Sequence, residues 1–288
     1  MELFQYPYMQ RALIGALVIG LAAPALGIYL VQRRLALIGD GVGHVALTGV
    51  GAGLLLNRSP VLVAVLVATV GAITIEVVRS RGRTSGDLAL ALLFYGGIAG
   101  GVLLVGLSDA TSANLNAYLF GSLTTIKPAD LTTIAVLGAA ILVTMIALRP
   151  ALFAVTHDEE YARVSGLPVR TLNLLIAVTT AVTVTIAMRA VGVLLISALM
   201  VVPVATAQQV TRGFRSTMTA AMALGLFAAG SGVWVAATAN TPPGASVVLL
   251  AIASFLVVAV AGGIWRALRR RSVPAAAAAA EPHEVVLQ

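Results

Sequence analysis

The sequence predicts an all-α protein, a polytopic bundle of about nine transmembrane helices, with eight as the lower count. Three observations favour this class. Of the 288 residues, 59% are hydrophobic and only 10% are charged, and the mean hydropathy is +1.01. A soluble domain of this size needs roughly 25% charged residues to cover its surface. The charges also cluster between long apolar runs, which indicates an outer surface in contact with lipid.

Nine apolar segments approach the length of about 20 residues that a helix needs to cross a bilayer. We expect spans at about 11–32, 41–57, 60–79, 88–107, 130–148, 171–188, 190–210, 216–238 and 245–266. In the second, the four-residue spacing of Gly39/Gly43 and of Gly49/Gly53 favours close approach to neighbouring helices. We expect Pro203 to kink or break the seventh span. The weakest boundary lies at Arg189, which interrupts an apolar stretch.

Arginine placement predicts the orientation, because short loops rich in arginine stay cytoplasmic. Nine spans put the main arginine clusters on one side: Arg33 and Arg34; Arg79, Arg81 and Arg83; Arg149, Arg163 and Arg170; Arg212 and Arg215; Arg266, Arg269, Arg270 and Arg271. The odd count places the N-terminus outside and the C-terminus in the cytoplasm. Arg11, Arg58, Lys127 and Arg189 fall on the outer side and oppose the trend.

We predict one transmembrane domain over 1–268 and a mobile cytoplasmic tail over 269–288, which contains six consecutive alanines. A histidine in that tail, His283, is expected to have no metal role. Because the chain has no cysteine, disulfides, thiolate metal sites and thiol redox chemistry are excluded. The basic residues follow apolar segments without interleaved aromatics, so no nucleic-acid partner is expected.

Enzymatic motifs are absent. The chain has no G-x-x-x-x-G-K-[ST] phosphate-binding loop, and its only lysine, Lys127, does not follow a glycine. It also lacks G-x-S-x-G and H-E-x-x-H signatures. We therefore predict a protein that is not itself an enzyme and holds no permanent cofactor.

The most informative motif is the segment Gly39 to His44, in which Asp40 and His44 stand four residues apart. On a helix this spacing puts both side chains on one face. A carboxylate oxygen and an imidazole nitrogen can then reach one divalent ion, and N and O ligands suit Zn²⁺ or Mn²⁺. In the structural alternative, Asp40 pairs with Arg33 or Arg34 while His44 hydrogen-bonds a neighbouring helix.

A second motif runs from Thr156 to Pro168 and predicts a short charged helix of about nine residues. Thr156 and Glu159 have the spacing of a capping box, and Gly166 followed by Pro168 is typical of a helix stop. Such a helix is either a solvated connector or a docking element for a cytoplasmic partner.

Other polar residues favour structural roles. Glu76 and Arg79 predict an i,i+3 ion pair, and the segment from Thr84 to Asp87 predicts a cap for the fourth span. Four threonines in the sixth span either bond their own backbone or line a pore: Thr179, Thr180, Thr183 and Thr185.

These segments together resemble the permease subunits of zinc and manganese ABC importers, the ZnuB-like family. The similarity runs along about residues 5–265 and is specific because four matches occur in order. They are Gln32 to His44, Asp158 to Val169 with the pattern E-x-A-R-x-x-G-L-P-V, Ala190 to Leu195 leading to Pro203 to Ala207, and Thr241 to Ala245. Gly43 stands where the family commonly has Ser, and Gly41 makes the segment more flexible.

The resemblance implies a type II importer fold, a homodimer in the plasma membrane, two cytoplasmic ATP-binding subunits and an extracytoplasmic metal-binding protein. Zn²⁺ or Mn²⁺ would be the transported substrate, with Asp40 and His44 lining its path. The charged helix would couple to the ATPase through Asp158, Glu159, Glu160, Ala162, Arg163 and Gly166.

Three other functions compete with this one. A secondary transporter or channel would use Asp40 and His44 as a proton relay without any ATPase. A siderophore or cobalamin permease belongs to the same broad class, but such chains usually have an extra span and lack the D-x-x-x-H pair. An intramembrane hydrolase would need a second acidic or histidine partner inside the spans, and the sequence has none.

Overall fold

The computed structural model describes residues 6–80, 86–108, 112–122, 126, 128–188, 190–193 and 195–271, without the side chains of 86–87, 112–115 and 266–271. Twelve helices occupy these ranges: α1 Pro7–Gln32, α2 Ile38–Leu55, α3 Pro60–Ser80, α4 Gly86–Gly106, α5 Ser112–Phe120, α6 Pro128–Ala147, α7 Arg149–His157, α8 Glu159–Val164, α9 Val169–Ala187, α10 Ile196–Val210, α11 Phe214–Ala239 and α12 Pro243–Arg271. Within them, eight are long and apolar enough to cross a membrane. The predicted class is confirmed.

The seventh predicted span differs from the expectation. Its helix, α10, has only 15 residues and starts at Ile196 rather than near residue 190. The interruption comes at Gly192, whose φ of +92° lies in the region that favours glycine. Pro203 lies inside α10 and does not end it. Of the two expected effects of Pro203, a break is therefore wrong and a kink stays a prediction; the break lies in the segment before the helix.

Three distant segments meet at the end of the bundle where α10 begins. The amide of Val193 donates to the carbonyl of Tyr118 at 3.0 Å. A Cβ on Gly121 would lie 2.7 Å from the carbonyl oxygen of Ala190, and a Cβ on Gly244 would overlap that of Val191. Backbone contact this close requires glycine. Two segments that carry the family resemblance, near 190 and near 244, are thus neighbours.

α1 lies at the centre of the bundle, against α6, α9, α10 and α11, whereas α2 packs between α3 and α4 and also touches α9. α4, α6 and α12 expose most of their apolar surface, as expected of helices that face lipid or another chain. The four threonines of α9 donate to backbone carbonyls of their own helix, which confirms their structural role.

The glycine spacing of α2 brings it close to two different neighbours, as predicted. A Cβ on Gly43 would lie 2.9 Å from Cγ2 of Val193, on the α10 side. On the opposite side, a Cβ on Gly49 would lie 2.5 Å from Cα of Ala64 in α3. Small residues let helix backbones approach each other closely, and the glycines of α2 allow it to pack tightly against its neighbours.

The contact between α1 and α11 gives a stability prediction. A Cβ on Gly225 would overlap the carbonyl oxygen of Gly20, whereas a Cβ on Gly230 would meet only Cδ2 of Leu17 at 3.5 Å. Gly225→Ala should destabilise the detergent-solubilised protein by roughly 1–3 kcal/mol through overpacking. Gly230→Ala, on the same helix, should be neutral or stabilising by up to about 1 kcal/mol. Thermal unfolding of both variants checks this, and equal melting temperatures would contradict it.

Candidate functional site: a polar pair on α2 and a charged cluster at α8

Asp40 and His44 lie one turn apart near the start of α2, and both are half-buried. The imidazole packs edge-on against Phe94 of α4, with ring centroids 4.5 Å apart. The helix backbones touch here because a Cβ on Gly97 would lie 2.6 Å from the backbone of His44. His44 is thereby held by α4 on one side.

The Nδ1 atom of His44 is buried and has no hydrogen-bond partner in the part of the chain that is described. Buried polar atoms are nearly always paired, so an orphan nitrogen indicates a missing ligand or partner. Arg33 binds other residues, and across the described ranges no ion pair joins Asp40 to Arg33 or Arg34. Neither contact of the structural alternative is therefore present among the described residues.

A second orphan lies beside this segment and was not singled out from the sequence. The hydroxyl of Ser197, at the start of α10, is buried without a partner in the described chain. A Cβ on Gly39 would lie 3.0 Å from it, so Ser197 faces α2 one residue before Asp40. No group of three or more His, Asp or Glu side chains suited to a metal occurs within the described ranges. Asp40 and His44 therefore have no third His, Asp or Glu side chain grouped with them within these ranges.

The charged helix α8 is shorter than expected and is capped differently. It has six residues, and its N-cap is Asp158, whose Oδ1 accepts from the amides of Glu160 and Tyr161 at 2.9 Å each. The predicted capping box is wrong, because the Thr156 hydroxyl donates to Leu152 within the separate helix α7. The predicted stop is confirmed: Gly166 has a φ of +80°.

α8 presents one face to solvent and one to the bundle. Val164 is 89% exposed and Tyr161 67%, and Glu160 and Arg163 are exposed beside them. Ala162 is fully buried. Glu159 is half-buried, with its side chain 37% exposed, and contacts Arg33 and Asn173 of the bundle. The residues predicted to couple to an ATPase therefore divide into an exposed set and a set in contact with the bundle.

Glu159 belongs to a charged cluster that joins four elements. Its Oε1 accepts from Nη2 of Arg33, at the end of α1, and from Nδ2 of Asn173 in α9 at 3.1 Å. Nη2 of Arg79 in α3 lies 3.6 Å from the same oxygen. Arg79 also makes the predicted pair with Glu76, at 2.8 and 2.9 Å. Two arginines and two glutamates balance in charge, and Asn173 bridges Glu159 and Arg33.

Sequence reasoning did not find the Arg33–Glu159 pair or the role of Asn173. Arg33 and Glu159 are 126 positions apart, and no local pattern relates them. The only available signal was the presence of Arg33 and Glu159 in two segments that carry the resemblance. The cluster borders a cavity of about 710 Å³, which Arg163, Pro168 and Arg170 also line.

The predicted cap at Thr84 to Asp87 and the tail with His283 lie outside the described side chains. α12 continues to Arg271, beyond the predicted domain boundary, and the tail from residue 272 stays a prediction.

The helix arrangement defines a polytopic membrane protein, and comparisons with known proteins agree. The chain belongs to the ABC 3 transport family, whose model matches residues 5–262.

Two curated relatives and one solved structure illustrate the similarity. The chain is 31% identical over 238 residues to the high-affinity zinc uptake system membrane protein ZnuB of Haemophilus influenzae, with 83% of this chain and 91% of that protein covered. It is 30% identical over 254 residues to the manganese import system permease protein ScaB of Streptococcus parasanguinis, covering 88% and 90%. PsaBC from Streptococcus pneumoniae in complex with Fab is similar in structure, with a TM-score of 0.80, 28% identity, and 88% and 92% coverage.

The electrostatics of Glu159 give a pH prediction. Burial raises the pKa of its carboxyl, but the hydrogen bond from Asn173 and the charges of Arg33 and Arg79 outweigh burial and hold that pKa below its ordinary value. The folded protein then binds the proton less tightly than the unfolded chain. The stabilisation is complete above the ordinary glutamate pKa of about 4.3 and is lost as pH falls through the lowered value.

Thermal unfolding of the wild type and of Glu159→Gln, measured from pH 7 to pH 3, checks this linkage. The wild type should melt higher at neutral pH, and the difference should vanish at the acid end. Glu76, Arg79, Arg163 and Arg170 face the same cavity, so the comparison with Glu159→Gln isolates the Glu159 carboxyl from them. A difference that stays constant over the whole range would contradict the assignment.

Proposed function

We propose that this chain is the membrane-spanning permease subunit of an ATP-driven importer of zinc or manganese. The observation that carries the proposal is the half-buried pair of Asp40 and His44, with an imidazole nitrogen that lacks a partner in the described chain. The orphan nitrogen and the neighbouring carboxylate offer the N and O ligands that both ions accept. The family membership and the zinc and manganese names of two relatives support the same substrate class.

The proposed importer is a homodimer in the plasma membrane. Two ligands hold a divalent ion weakly, and most structural zinc sites have four. Two copies of the pair would supply four, while a permeation site needs release as much as binding. An extracytoplasmic metal-binding protein would deliver the ion to the side where the segments near 121, 191 and 244 meet.

The energy would come from separate cytoplasmic ATPase subunits, because the sequence has no phosphate-binding loop. The exposed face of α8, with Glu160, Tyr161, Arg163 and Val164, is the proposed docking surface. The same orientation puts the C-terminus in the cytoplasm. ATP binding and hydrolysis in the partner would then switch the bundle between two openings.

Substitution of the polar pair tests the proposed path. Asp40→Ala and His44→Ala should each lower uptake of radioactive Zn²⁺ and Mn²⁺ at least about 100-fold, because a transported ion loses one of few ligands. Co-purification of the ATPase should not change. His283→Ala is the matched histidine control and should transport like the wild type. Full uptake by both site variants would refute the site, and uptake by proteoliposomes without any ATPase would favour a secondary transporter.

Substitution on α8 tests the docking surface. Val164 is 89% exposed, so Val164→Asp should leave the permease folded but weaken ATPase binding by about tenfold or more, through a charge placed in the interface. Leu56→Asp is the control. Leu56 is also exposed, at 65%, but it follows the C-terminal end of α2, whereas Arg33, which contacts α8, precedes the N-terminal end of α2. Titration of purified permease with its ATPase measures both affinities. Equal binding by the two variants would remove α8 from the interface.

A further inference from the structure

We infer that Glu159 transmits movement rather than docking the ATPase, and that through Arg33 it ties α8 to the helix that carries Asp40 and His44. The inference rests on the proposed function and assigns positioning roles to Glu159, Arg33 and Asn173. It starts from the direction of the Glu159 side chain, which turns away from the exposed face of α8 and into the cluster with Arg33, Asn173 and Arg79.

The polar contacts of this cluster attach α8 to the bundle. The Arg33 side chain is 6% exposed, so its charge is largely removed from water, whereas the Glu159 side chain is 37% exposed. A buried guanidinium that loses its carboxylate is strongly destabilised. Movement of α8 away from α1 would break this pair and cost free energy, because Asn173 would be the one hydrogen-bond partner left to the Arg33 side chain among the described residues. Displacement of α8 and of the end of α1 together is the less costly movement.

The connection from Arg33 to α2 is a closed turn rather than a loose loop. The amide of Leu35 donates to the carbonyl of Leu30 at 2.9 Å, and that of Arg34 donates to Val31 at 3.1 Å. Arg34 has a φ of +58°. This is the Schellman pattern, which fixes the direction of the chain as it leaves a helix.

α2 follows this turn directly. The amide of Ile38 donates to Leu35 at 3.0 Å, and the amide of Gly41 donates to Leu37 at 3.2 Å, so hydrogen bonds continue into the first turn of α2. Asp40 lies in that turn, seven positions after Arg33. A movement of α8 is thereby passed through Arg33 to the proposed ligand pair.

The test uses the permease assembled with its ATPase in proteoliposomes, with Zn²⁺ and Mn²⁺ uptake and ATP hydrolysis measured together. Glu159→Gln should keep ATP hydrolysis but lower the number of ions imported per ATP at least about tenfold, and Arg33→Gln should do the same. Since the two residues act as a unit, the double variant should be no worse than either single one. Arg58→Gln, which removes an exposed charge beyond the other end of α2, is the control and should import as many ions per ATP as the wild type.

Restoring a negative charge on a cysteine at position 159 distinguishes a positioning role of Glu159 from a role in folding. Because the chain has no cysteine, Glu159→Cys can be modified alone after assembly, with wild-type permease as the reagent control. The neighbouring cavity of about 710 Å³ admits small reagents. A sulfonatoethyl methanethiosulfonate adduct restores the negative charge and should raise the ions imported per ATP. Neutral methyl and positive aminoethyl adducts should not.

The outcomes distinguish failure of the proposed function from failure of this inference. If the wild-type complex imports neither metal, the proposed function fails. If it imports metal and Glu159→Gln imports as many ions per ATP as the wild type and Arg58→Gln, only the inference is overturned. Equal effects of all three adducts would overturn it too, as would failure of both Glu159 variants to assemble, which would assign the cluster to folding alone.

Discussion

Arg33 ends the central helix of the bundle with a side chain that is only 6% exposed, and much of this end of the bundle is arranged around its charge. A charge in this position needs a carboxylate and further hydrogen bonds, because desolvation otherwise exceeds any gain. Glu159 supplies the carboxylate from α8, and Asn173 supplies an amide oxygen from α9 at 2.7 Å. Satisfying one arginine thereby fixes a connector helix against two spans.

The opposite requirement governs α2, where close packing relies on the absence of side chains. Gly39 and Gly43 lie against α10 and the segment before it, and Gly49 and Gly53 lie against the start of α3. These four glycine contacts do not involve the side chains of Asp40 or His44. Asp40 and His44 remain half-buried on a helix that is otherwise a tight packing element.

Most of the fold was predictable from the sequence because hydropathy is a local property. Eight of the nine predicted spans match helices to within a few residues, and a pair such as Glu76 and Arg79 follows from helical spacing. Errors came where local patterns compete. Thr156 fits a capping box, but α7 continues to His157 and occupies its hydroxyl, which leaves Asp158 as the cap. The break before α10 depends on Gly192, whose conformation is set by neighbours near Gly121.

The sequence by itself determined a membrane bundle, the resemblance to a metal permease family, and the one-turn spacing of Asp40 and His44. These features depend on composition and on residues that are close along the chain. Only the tertiary structure decided that Nδ1 of His44 has no partner in the described chain, and that Glu159 turns inward to meet Arg33. Both facts depend on which helices become neighbours, and a contact across 126 positions leaves no trace in local spacing.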